Sequence, residues 1–93
     1  MMIRSFKGRD AEALFNDKPV RRWAQIAKRI QVRLKMLDDA SALSDLAALG
    51  GNRLEALKGD RKGQHSIRVN DQWRICFVWR DGDADDVEVV DYH

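Results

Sequence analysis

Asp91, Tyr92 and His93 stand directly behind an apolar, strand-like run, Val87-Glu88-Val89-Val90. A chain end usually frays, so ionisable side chains joined to a strand mark a candidate site. The triplet offers a carboxylate, a phenol and an imidazole, and an unperturbed imidazole titrates at about 6.5, so it can give or take a proton near neutrality. With cations added, this set suits metal-free cleavage of RNA. The 2′-hydroxyl attacks the adjacent phosphorus, so the site must accept one proton, give another to the leaving 5′-oxygen and balance the added negative charge. DNA lacks the attacking hydroxyl. Arg74 and Lys58 are the candidate cations, Asp91 would orient His93 or act as a base, and Tyr92 would stack on a base or donate a proton. The competing reading has Tyr92 packed on the edge of the core and His93 without a role.

Other chemistries find little support. A single cysteine, Cys76, and two histidines, His65 and His93, give no metal-ligand spacing, so no metal is expected. Neither Gly50-Gly51 nor the stretch from Gly59 to Gly63 has the spacing or helix context of a phosphate loop or dinucleotide fingerprint, and no cofactor is expected. Ser66 lies within a strand-like run and lacks the sharp elbow that a nucleophilic serine paired with His93 would need.

The elements that must hold these residues read as helices first and strands afterwards. Met2 to Phe6 is a weak first strand, and Asp10 is a possible N-cap for a brief helix carrying Ala11, Leu14 and Phe15. Trp23, Ile26, Ala27, Ile30, Leu34 and Leu37 recur at three- and four-residue intervals, which predicts one long helix over Val20 to Leu37. Asp38 and Asp39 at its C-terminal end oppose the helix dipole, and the sequence offers no reason for them. Ser41 to Leu49 reads as a short helix capped by Gly50-Gly51. Arg53 to Leu57, His65 to Val69, Trp73 to Arg80 and Asp86 to Val90 read as strands separated by short turn clusters, hence an antiparallel meander. Trp73, Ile75, Phe77 and Trp79 share the face that should pack on the long helix. Arg74 falls on the other face, either lining a concave surface or pairing, half-exposed, with Glu88 or another neighbouring acid. Together these elements predict an α+β fold in one domain spanning residues 1–93.

The net charge of +2 conceals segregation. From Lys18 to Lys35 every charged residue is basic, whereas from Asp81 to Asp91 every one is acidic. Such a fold has one face attractive to phosphates or acidic protein, unless both stretches are simply solvated. No stretch approaches the roughly 20 apolar residues needed to span a bilayer, and Met1-Met2-Ile3-Arg4 lacks the apolar run of a signal peptide. A cytoplasmic protein without membrane contact is therefore expected.

Three stretches carry a family resemblance. Asn52 to Arg61 (NRLEALKGDR), Ser66 to Phe77 (SIRVNDQWRICF) and Val87 to His93 (VEVVDYH) resemble the HigB toxins, also called plasmid maintenance system killer proteins, of the RelE/ParE superfamily. Ile3-Arg4-Ser5-Phe6 is similar too, so the likeness covers nearly the whole chain. It implies a RelE-like fold, with an N-terminal strand and helices on a curved antiparallel sheet. It also implies a type II toxin-antitoxin system, in which the toxin cuts mRNA on the translating ribosome and a HigA-type helix-turn-helix antitoxin neutralises it. Operator DNA would be contacted only through that antitoxin. By position, Asp91, Tyr92 and His93 match the family's C-terminal catalytic motif, Arg74 its active-site arginine, and Lys58 a basic position beside the site. Arg61, Lys62, Arg68, Asn70 and Gln72 complete the expected RNA-binding set. Some members carry a catalytic histidine where this chain has Glu55; a glutamate can serve as a base but cannot supply a cationic phosphate contact. The alternative within the superfamily is a non-catalytic ParE-like toxin that blocks DNA gyrase by protein binding, since one fold supports both. A sequence-tolerant RNA-binding module without toxicity would need exposed stacking aromatics, yet Trp73, Phe77 and Trp79 read as core.

Overall fold

The computed structural model describes residues 2–48 and 51–91. Helix α1 (Arg9–Phe15), a 3₁₀ turn (Arg21–Trp23), α2 (Ala27–Asp39) and α3 (Leu43–Ala47) precede the strands β1 (Glu55–Ala56), β2 (Gln64–Arg68), β3 (Trp73–Arg80) and β4 (Asp83–Asp91). A second 3₁₀ turn (Gly59–Arg61) joins β1 to β2. The strands lie in chain order and every neighbouring pair is antiparallel, which is the expected meander. Ile30, Leu34 and Leu37 of α2 bury against Ile67, Ile75, Phe77, Val87 and Val89 of the sheet. The weak first strand forms two parallel bridges with β4, Ile3 to Ala84 and Phe6 to Val87.

The single long helix expected over Val20 to Leu37 is broken. Val20 is extended and Ile26 leaves the helical region (φ −121°, ψ 7°), so α2 begins only at Ala27. Between those β-branched residues, Trp23 turns into the core, 1% exposed and edge-on to Trp73 at 5.9 Å. Burying a large apolar side chain is worth about 2–3 kcal/mol, against helix propensities that differ by less than about 1 kcal/mol per residue. Periodicity alone could not register this, because Trp23 belongs to the apolar stripe either way. The glycine cap expected after α3 falls partly on Leu49 and Gly50, which lie outside the described residues.

Strand limits also shift. Asp81 and Gly82 both have positive φ (53° and 82°), giving a two-residue hairpin that pairs Arg80 with Asp83, so β4 starts three residues earlier than expected. Its early acids are matched by cations, with Arg4 3.8 Å from both Asp83 and Asp85 and Arg80 3.7 Å from Asp85. Between Cys76↔Glu88 and Val78↔Asp85, one β3 residue faces two on β4, and Asp86 there takes φ 52°. This bulge lets Ala84 and Val87, three apart, both bury on the helix face, which an unbroken alternation forbids. The Ser5 hydroxyl accepts the Asp86 amide at 2.8 Å.

The acid at the end of α2 now has a reason. Asp38 Oδ1 accepts the backbone N–H of Ile3 at 2.9 Å, tying the N-terminal segment to the helix layer. Asp38→Ala should cost about 1–2 kcal/mol in urea unfolding through loss of this charge-assisted bond, while Asp39→Ala, at an exposed position, changes stability little.

Candidate functional site

Alternation along β3 turns Ile75 and Phe77 to the helices and Arg74 and Cys76 to the opposite face. Arg74 is nonetheless 7% exposed, because its neighbours wrap it. Its Nε donates to Ser66 Oγ at 2.7 Å, and its Nη2 donates to the Arg53 carbonyl at 2.6 Å and the Ser66 carbonyl at 3.4 Å. Arg53 presents that carbonyl from a left-handed conformation (φ 45°), which for a residue with a Cβ costs on the order of 1 kcal/mol and fits a functional position. Glu55 Oε1 stands 3.4 Å from Arg74 Nη2 and is 56% exposed. One guanidinium is thus held in orientation by uncharged acceptors, with a solvent-reachable carboxylate beside it.

Neither sequence reading of Arg74 was complete. It is paired, but to Glu55 rather than Glu88, and it is nearly buried rather than half-exposed. Glu88 Oε1 instead accepts from Arg61 at 2.6 Å, and Arg61 also donates to Gln64 at 3.1 Å. Cys76, fully buried behind this layer, has its thiol pushed up by burial, an effect Arg61 and Arg74 oppose and Glu88 reinforces. It is held protonated and is no nucleophile.

Lys58 and Lys62 are exposed on either side of the second 3₁₀ turn. Arg68 pairs with Asp71, and its carbonyl accepts Arg33 Nε at 3.1 Å. Asn70 Oδ1 accepts the amides of Gln72 (2.9 Å) and Trp73 (2.8 Å), which fixes the β2–β3 turn. Gln72 Nε2 donates to Asp91 Oδ2 at 3.2 Å. The register sets Asp91 opposite Trp73, and Arg74 opposite Val90, so acid and arginine are one pleat apart and project to opposite sides of the sheet. Tyr92 and His93 lie outside the described residues. Among the described residues no cluster of His, Cys, Asp or Glu could hold a metal ion. No helix of the described residues is long and apolar enough to cross a membrane.

Sequence reasoning passed over Ser66 as the partner of Arg74, having weighed it only as a nucleophile. The signal was available: a hairpin centred on Asp71, the middle of the turn cluster Asn70-Asp71-Gln72, sets Ser66 against Cys76, diagonal to Arg74. The role of the Arg53 carbonyl had no sequence signal.

Comparison with known proteins finds relatives along nearly the whole chain. The family described as RelE-like toxin of type II toxin-antitoxin system HigB matches residues 4–93. Toxin HigB-1 of Vibrio cholerae is 41% identical over 85 residues, 89% of this chain and 90% of that protein. Endoribonuclease HigB of Proteus vulgaris is 41% identical over 98 residues, 99% of this chain and all of that protein. In fold, the chain resembles YoeB from Staphylococcus aureus in a heterotetrameric YoeB-YefM toxin-antitoxin complex, with a TM-score of 0.60 at 22% identity over 100% of this chain and 99% of that one. The YoeB dimer from the same organism gives a TM-score of 0.58 at 20% identity, with the same coverage.

Removing the Ser66 hydroxyl leaves a buried, charged N–H without its nearest acceptor. Ser66→Ala should therefore lower unfolding stability by about 2 kcal/mol, measured by urea denaturation.

Proposed function

From the premise that this chain belongs to the HigB family of RelE-like toxins of type II toxin-antitoxin systems, we propose that it is a ribosome-dependent endoribonuclease that cuts mRNA and so arrests translation. The observation that carries this reading is the oriented Arg74 guanidinium with the exposed Glu55 carboxylate 3.4 Å away. In the proposed reaction Glu55 accepts the 2′-hydroxyl proton, and the 2′-oxygen attacks the adjacent phosphorus. His93 protonates the departing 5′-oxygen, so the products are a 2′,3′-cyclic phosphate and a 5′-hydroxyl. Asp91 projects to the other side of the sheet from Arg74, where Gln72 holds it, so its part is to anchor the strand end that carries His93, and Tyr92 stacks on a base. Arg74 balances the phosphorane charge once Glu55 gives way to the phosphate. Lys58 and Lys62 take flanking phosphates.

Such a modest acid-base set gains from a ribosome that holds the mRNA with its 2′-oxygen already in line, an effect worth several kcal/mol. A HigA-type antitoxin with a DNA-binding helix-turn-helix is the proposed partner, and operator DNA is reached only through it. The cytoplasm, where translating ribosomes are, is the proposed location.

Two outcomes follow. Primer extension on cellular mRNAs after expression should show new cuts within coding regions only while translation runs, and His93→Ala should abolish both cuts and growth inhibition while antitoxin binding persists. Growth arrest without cuts would instead support gyrase blockade. Glu55→His, which restores a cationic phosphate contact and a neutral-range proton carrier, should raise the cleavage rate on the order of tenfold; a rate no higher than that of the parent would contradict the role given to Glu55.

A further inference from the structure

A second cationic site adjoins Asp91 on the helix side of the sheet. The Arg21–Trp23 turn and the β2–β3 turn enclose a cavity of about 440 Å³ lined by Arg21, Arg22, Gln25, Asn70, Gln72 and Trp73, among others. No acid lines it. Arg22 is held in place, its guanidinium 4.4 Å from the Trp23 ring and 5.9 Å from the Trp73 ring, with Nε 3.1 Å from Asp10. Arg21 is exposed, and no carboxylate engages it among the described residues. Gln72 joins the cavity to Asp91 through its 3.2 Å bond.

We infer that this cavity binds one nucleotide of the single-stranded mRNA flanking the cut, with Arg21 and Arg22 on its phosphate and its base against Trp73. The inference rests on the nuclease reading for the identity of the RNA. Three features favour RNA over an acidic protein segment. A fixed guanidinium beside a half-buried indole offers flat stacking surfaces, as single-stranded nucleic acids require. Gln25, Asn70 and Gln72 bring amides, which can contact base edges. An acidic peptide would use the arginines and leave both features idle. The broken helix described above creates the site: an unbroken one from Val20 would not present a 3₁₀ turn to the β2–β3 loop.

The test uses a labelled, uncleavable 2′-O-methyl oligonucleotide and the full chain, so that binding is read without catalysis. Arg21→Ala should weaken binding roughly fivefold and lower the salt slope by about 0.7, the value for one phosphate contact on a single strand. Arg21→Glu should weaken it further, and Arg21→Lys should retain most of it. A 4-thiouridine version should crosslink to the tryptic peptide from Val69 to Arg74, which contains Trp73. Unchanged affinity in Arg21→Glu would overturn the inference. So would normal RNA binding combined with weakened antitoxin binding, which would assign the cavity to a protein partner. If the wild-type chain binds the oligonucleotide as expected but cuts no mRNA on ribosomes, the nuclease reading fails and the cavity stands.

Discussion

A charged guanidinium cannot be placed on a sheet away from water unless each of its hydrogens meets an acceptor. Arg74 directs its Nε to Ser66 on one strand and its Nη2 to the carbonyl of Arg53 before another, with Glu55 beside the same nitrogen. Because two of those acceptors are uncharged and fixed by the backbone or by a buried serine, the arginine keeps its orientation even if Glu55 moves. The core beneath serves this arrangement. Ile75 and Phe77, on the same strand, bury against α2 and lock the strand that carries Arg74.

The same strand pairing explains how the acid end of the molecule stays ordered near a cation-rich site. The Asp86 bulge turns Val87 and Val89 inward and leaves Glu88 on the Arg74 face, where Arg61 engages it. Among the described residues the carboxylate beside Arg74 is that of Glu55. A glutamate at this position puts a negative charge beside the arginine, and so raises the cost of admitting a phosphate.

Much of the fold was legible because it rests on local rules. The short turn clusters give the antiparallel strand order, and the alternation in Trp73 to Arg80 separates core from site face. Three features were not legible. The break before α2 is decided by where Trp23 finds Trp73, a contact across fifty residues. Asp38 looked misplaced at a helix end because its partner is the amide of Ile3. The left-handed Arg53 serves a contact with Arg74 that no local pattern announces. In each case a tertiary hydrogen bond or packing contact overrode local propensity. Of the site, Glu55 and Arg74 come together as a pair, whereas Asp91 joins Gln72 one pleat away.

The most direct test of the account is the single-turnover cleavage rate of Arg74→Lys on programmed ribosomes. Lysine keeps the positive charge but cannot present a planar fork to Ser66, Arg53 and the phosphorane at once. The rate should fall by about 10²–10³, as when one preorganised donor is removed, with cut positions unchanged. A lysine variant that cuts at the parent rate would contradict the claim that a fixed guanidinium, rather than charge alone, does the stabilising.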